Sequence, residues 1–126
     1  MTPVVTGRVV ITASVPAFAA GVVHVRLEDV SYADAAAPVV AETVVSGVSH
    51  DPARSAERST VVAFRLAPSD EIDPEHDYSV RVWLDRDGDG QPSSGDMWSD
   101  QTYPVLTRGF GTEVTVVLGK NNPPFT

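Results

Sequence analysis

The chain has 126 residues, a net charge of −8, 42% apolar residues and no cysteine. That length fits one domain with a modest core. The missing cysteines exclude disulfides, thiolate catalysis and thiolate metal sites, and the acidic balance leaves no basic stripe for nucleic acid or an anionic membrane.

The first stretch, MTPVVTGRVVITASVPAF, has no basic run followed by a long apolar segment, and Arg8 interrupts it. It reads neither as a signal peptide nor as a membrane span. The expected compartment is therefore the cytoplasm as written, or the cell envelope if a leader has been removed.

The elements follow in chain order. Thr6 to Ser14 reads as a strand, with Val5, Gly7, Val9 and Ile11 on one face. Val22 to Val30 alternates more strictly: Val23, Val25 and Leu27 against His24, Arg26 and Glu28. That period of two marks a half-buried strand. Ser31 to Pro38 is a loop. Its alanine run is too short for a helix and ends in proline. Val39 to Ser46 is a third strand, and polar Gly47 to Ser59 is expected to be a loop. Thr60, Val62, Phe64 and Leu66 alternate along a fourth strand. An acidic loop spans Pro68 to Glu75. Tyr78, Val80, Val82 and Leu84 alternate with Ser79, Arg81 and Trp83 in a fifth. Met97 to Val105 is a sixth, with Pro104 at an edge or an end. Thr112 to Leu118 is a seventh. These strands predict an all-β fold, an antiparallel β-sandwich of seven to eight strands without a long helix. Residues 1–119 form the domain, and 120–126 a loose tail.

The charge is unevenly placed. Ten acids lie between Asp70 and Asp100 against only Arg81 and Arg86, which accounts for the whole net charge. Within that half, Asp85 to Asp96 reads DRDGDGQPSSGD. On the twelve-residue calcium-loop template, Asp85, Asp87 and Asp89 fall at positions 1, 3 and 5, and Gly90 at the sharp turn. Gln91 offers its backbone carbonyl, Ser93 a direct or water-mediated oxygen, and Asp96 closes the shell. All-oxygen donors suit Ca²⁺, whereas zinc would want nitrogen or sulfur. An aspartate at position 12 has a shorter arm than the usual glutamate, which weakens affinity. Pro92 and the strand-like flanks make this a loop between two strands rather than a helix-flanked sensor. The competing reading is a bare acidic hairpin turn, since Asp-Gly pairs tolerate left-handed backbone.

Trp83 and Trp98 flank that segment. They are candidate partner-binding residues, or a cross-strand pair that pins the hairpin. On the first reading Trp83, opposite the apolar face, is exposed. His24, His50 and His76 are far apart in sequence and are expected to be exposed rather than a metal or catalytic trio. Glu28 and Asp29 form a general acid–base pair, or Asp29 with Ser31 and Asp34 organises a loop.

Several segments now align with a known family. TGRVVI, VHVRLEDVSYADAAAPVVAET, FRLAP, DYSVRVWLD, QTYPVLT and a final valine-rich strand occur in that order. The chain resembles the YbaY and YscW family of small bacterial β-sandwich proteins from about Val5 to Leu118. The resemblance implies an envelope lipoprotein relationship, with one branch acting as pilotin for the type III secretion secretin, and no catalytic residues. The acidic segment is longer here than in the family. The expected function is therefore a non-catalytic protein-binding or chaperone-like module carrying one structural calcium. The alternatives are a calcium-stabilised domain without a ligand of its own and a hydrolase on a sandwich scaffold.

Overall fold

A computed structural model describes residues 3–31, 37–53, 59–68, 71–86, 88, 97–99 and 103–119. Eight strands lie among them: β1 (Val5–Ile11), β2 (Phe18–Asp29), β3 (Val39–His50), β4 (Thr60–Leu66), β5 (Tyr78–Asp85), β6 (Met97–Trp98), β7 (Pro104–Val105) and β8 (Glu113–Leu118). They form a three-stranded sheet, β4-β1-β8, and a five-stranded sheet, β3-β2-β5-β6, in which β7 also pairs with β5. The described residues contain no helix. The expected tail, and Asp34 in the Ser31 to Pro38 loop, lie outside the described residues.

The alternation read along each strand decides what faces inward. Val5, Val9 and Ile11 of β1, Val62, Phe64 and Leu66 of β4, and Val116 and Leu118 of β8 line the inner face of the smaller sheet. Val23, Val25 and Leu27 of β2 face them with Val80, Val82 and Leu84 of β5. Two inner faces of branched aliphatic side chains interlock to make the core of a sandwich. Gly7 sits at the middle of β1, level with Phe64 on one side and Val114 on the other. A Cβ there would run into the Val114 carbonyl oxygen and lie 2.8 Å from Phe64 Cζ. Glycine is what lets the Phe64 ring and the backbone of β8 close over the centre of the sheet.

Three features differ from the sequence expectation. First, one pair is parallel: β8 runs beside β1 in the same direction. β7 belongs to the other sheet, so the chain enters the smaller sheet at β8 by crossing between sheets rather than by a hairpin. Second, β3 continues past Ser46 to His50. The polar residues and Gly47 suggest a loop, but Gly47 (φ +69°) bends the strand without ending it, and Val48 and His50 beyond it are buried. Third, Met97 to Val105 is not one strand. β6 and β7 are two short pieces on the same edge of β5. Between them Ser99 stands in for ladder groups: its Oγ accepts from Val82 N–H at 3.0 Å, and its N–H donates to the Val82 carbonyl at 2.9 Å.

His50 is 1% exposed, which corrects the expectation of an exposed ring. Its Nε2 lies 3.1 Å from the Val15 carbonyl oxygen and its Nδ1 2.7 Å from Thr60 Oγ1. A carbonyl can only accept, so Nε2 carries hydrogen and donates to Val15. One imidazole thus ties the end of β3 to the start of β4 and to the turn after β1.

Two glycine substitutions separate steric from conformational cost. Gly7→Ala is expected to lose about 2–3 kcal/mol through overpacking. Gly47→Ala, where nothing lies near the new methyl group, is expected to lose about 1 kcal/mol through its left-handed backbone alone. Urea unfolding of both variants measures the difference.

Candidate functional site

The outer face of the five-stranded sheet carries a row that crosses four strands. Val44, His24, Trp83 and Trp98 stand in register on β3, β2, β5 and β6. The His24 and Trp83 rings stack at 4.2 Å and 17°, and the Trp83 and Trp98 rings at 5.5 Å and 8°. Arg81 caps the far end with its guanidinium carbon 4.6 Å from the Trp98 ring centre, a cation–π arrangement. One row along, Arg26 donates to Glu42 at 2.6 Å. Trp83 points away from the core yet is only 6% exposed, because its neighbours' rings cover both its faces. That corrects the expectation of an exposed Trp83. The two tryptophans pair across the strands, as one of the two readings expects.

Asp85 follows two residues later on the same face. It is fully buried, and its Oδ1 accepts the Gly88 N–H at 3.1 Å. Gly88 has φ +69°, and a Cβ there would lie 2.8 Å from the Ala20 carbonyl oxygen. Of the six calcium ligands read from the sequence, Asp87, Asp89, Gln91, Ser93 and Asp96 lie outside the described residues. No group of three acidic or histidine side chains suited to a metal occurs among the described residues, which bears on none of those five.

The outer face of the three-stranded sheet is built differently. Val61, Val10 and Val117 form one row across β4, β1 and β8. Val61 is 52% exposed and Val117 44%. The next row is Ala63, Arg8 and Thr115, and the next Arg65, Thr6 and Glu113. A groove of about 430 Å³ runs over these rows, with Arg8 and Glu113 among its walls. The sequence reading missed this face, although the signal was present: Val10, Val61 and Val117 occupy the polar phase of three otherwise alternating strands.

A third cluster gathers at the end of β5 remote from Asp85. His76 Nδ1 lies 2.6 Å from Asp29 Oδ2, and its Nε2 3.4 Å from Asp73 Oδ2. Asp29 Oδ1 also accepts the Ser31 N–H at 3.1 Å. The hydrogen bond to Asp29 raises the His76 pKa above its ordinary 6.5, against some desolvation and with help from the charges of Asp29, Asp73 and Asp77. Burial alone would raise the Asp29 carboxyl, but the bonds from His76 and Ser31 outweigh it and leave the pKa below the ordinary 3.8. The expectation that His76 stands free in solvent is corrected. So is an acid–base pair at Glu28 and Asp29: these neighbours point to opposite faces of β2, and Asp29 serves its loop through Ser31.

A family model described as the type III secretion system lipoprotein chaperone (YscW) matches residues 1–118. The chain belongs to the YscW family. A solved structure described as an alternative pilotin from the type II secretion system of Vibrio cholerae is similar to it, with 26% identity and a TM-score of 0.65. That alignment covers 91% of this chain and 95% of the other. Among curated proteins none matches. Membership in the YscW family agrees with the resemblance read from the sequence, and it points to a non-catalytic, protein-binding role.

The stacked row makes a direct prediction. Trp98→Ala is expected to cost about 1–2 kcal/mol, more than the aromatic pairing alone, since area is lost as well. It leaves Trp83 as the single tryptophan. Acrylamide quenching of its fluorescence should rise as one face of the ring opens to solvent.

Proposed function

We propose that this YscW-family chain is a non-catalytic, pilotin-like chaperone of the cell envelope. In this reading it holds a protein partner on the outer face of its three-stranded sheet. The outward row of Val61, Val10 and Val117, with its two outer members half-exposed, is the observation that carries the reading. A row of adjacent apolar side chains on the solvent side of a sheet is a candidate docking surface. On the opposite outer face the rings of His24, Trp83 and Trp98 and the Arg81 guanidinium stack on one another, with Val44 at the end of that row 50% exposed. Neighbouring strands lie about 4.8 Å apart, so the three valines span roughly 10 Å. A partner segment with an apolar stripe of that width fits, with charges placed to meet Arg8 and Glu113. The similar pilotin of the type II secretion system supports a secretion-system protein as that partner.

The test is binding to a purified secretin subunit from a type II or type III system of the same organism. Val61→Asp combined with Val117→Asp is expected to raise Kd at least about tenfold, roughly 1.4 kcal/mol, with little change in thermal midpoint, since both side chains are half exposed. Trp98→Ala, on the other sheet, should leave Kd unchanged. The opposite pattern would move the site to the tryptophan face. Secretin binding that ignores both changes would remove the sheet faces from the account.

We also propose that the segment from Asp85 to Asp96 binds one Ca²⁺. The ligands in this reading are the side chains of Asp85, Asp87, Asp89, Ser93 and Asp96 and the backbone carbonyl of Gln91. The donor chemistry supports it, all oxygen with four carboxylates, as does a first ligand that is fully buried at the end of a rigid strand. A bound cation would offset the repulsion among these carboxylates and stabilise the folded state by mass action. Trp83 and Trp98 flank the segment, so Tb³⁺ offers a sensitive probe. Excitation of tryptophan should yield terbium emission that Ca²⁺ displaces with an affinity of about 10⁻⁶ to 10⁻³ M. Asp87→Ala should abolish it. Absence of emission, together with no thermal shift in about 10 mM Ca²⁺, would leave the segment a bare acidic turn.

A further inference from the structure

The loop that joins β7 to β8 is held in backbone conformations that side chains rarely adopt. Leu106 has φ +76°, and the Thr107 N–H closes on the Val105 carbonyl at 2.9 Å around it, which makes a tight three-residue turn of the disfavoured hand. Arg108 (φ +59°) and Gly109 (φ +87°) follow, with Phe110 N–H donating to the Thr107 carbonyl at 3.1 Å. This is a turn whose first central position usually goes to Asn, Asp or Gly, and here it is an arginine. Such strain persists only where the surroundings over-determine it. Leu106 packs against the core, while Phe110 at the turn's end is 49% exposed.

The clamp that supplies this constraint comes from the loop around His76. Thr107 Oγ1 donates to the His76 carbonyl at 2.6 Å. Arg108 donates to Asp77 Oδ1 at 2.9 Å and to the Glu75 carbonyl at 2.7 Å. The loop is anchored in turn to the end of β2. Asp77 N–H donates to Ser31 Oγ at 2.7 Å, Val30 N–H donates to the Asp77 carbonyl at 2.9 Å, and the His76 ring bonds Asp29. The bond between His76 and Asp29 is therefore a titratable link between β2 and the loop that grips the strained crossover.

We propose that Asp29 and His76 form a proton-controlled latch that holds the β7–β8 crossover loop, and with it Phe110, in its strained position. The groups around the ring favour the closed form. Among the described residues, Asp29 faces it from β2; Asp73, Glu75 and Asp77 belong to its own loop; Tyr78 of β5 tilts its ring beside it at 6.5 Å; Arg108 from the crossover loop is engaged by Asp77. Bonded to Asp29 and close to the charges of Asp73 and Asp77, His76 keeps its proton above its ordinary 6.5. Protonated, both ring nitrogens donate, one to Asp29 and one toward Asp73. Deprotonated, Nε2 turns a lone pair toward the Asp73 carboxylate, and the Asp29 bond loses its charge assistance. The sign follows. His76 has the higher pKa in the folded chain, so its contribution is complete below 6.5 and fades as pH rises through its raised value. Asp29 has the lower pKa when folded, so its contribution is complete above 3.8 and fades only as pH falls through its lowered value. The latch is closed between these limits and loosens on the alkaline side.

Nuclear magnetic resonance of the full chain tests this. Amide shifts from Leu106 to Gly111 should titrate with the His76 imidazole at a shared midpoint above 6.5. Hydrogen-exchange protection in the crossover loop, corrected for intrinsic rates, should fall about tenfold between about pH 5.5 and about pH 8.5. In His76→Gln the step should vanish, while β1 and β4 amides stay as they are. Asp29→Asn, nearly isosteric, should move the His76 midpoint down toward 6.5 and loosen the loop at every pH. A loop step that survives in His76→Gln would overturn the proposal, and so would a His76 titration that leaves the loop unmoved.

Discussion

Burial of alternate aliphatic side chains between two sheets is the interaction on which the rest of this molecule depends. β1 is the keystone of the smaller sheet because it lies between β4 and β8 and contributes Val5, Val9 and Ile11 with no exposed area. Its middle position must be glycine for the neighbouring strands to close over it. Once every second residue is committed inward, the other half of each strand is released from packing. Specific chemistry is found on those released faces and at the strand ends.

The two outer faces make contrasting use of that freedom. On the larger sheet, histidine, two tryptophans and an arginine stack side by side across the strands, so that even an outward tryptophan is buried. On the smaller sheet, Val61 and Val117 stand half-exposed in the outward phase, next to a groove that Arg8 and Glu113 help to line. One outer face thus carries stacked rings at its centre, and the other carries a row of aliphatic side chains.

The acidic half of the chain is likewise divided by the fold. Read linearly, the acids from Asp70 to Asp100 look like one negative region. β5 separates Asp73, Glu75 and Asp77 from Asp85, since its eight residues carry the chain about 26 Å. At one end Asp73, Glu75 and Asp77 join Asp29 around His76 and Arg108. At the other, Asp85 opens the Asp-Gly segment. The first group finds cationic partners within the protein, while the second retains the donor pattern of a calcium loop. One stretch of negative charge is thus parted between the two ends of β5.

The amino-acid sequence by itself determined the strands with strong alternation, their inward faces and the family, because a period of two is a local property that packing merely ratifies. It also carried the donor spacing from Asp85 to Asp96. Tertiary structure alone decided the parallel union of β1 with β8, the continuation of β3 through Gly47 to a buried His50, and the covering of Trp83. It alone decided the meeting of Asp29 with His76, 47 positions apart. Each of these depends on which strands become neighbours, and neighbourhood across a sheet leaves no periodic trace in the chain. A polar residue such as His50 or His76 reads as solvent-facing until the fold brings it a carbonyl or a carboxylate.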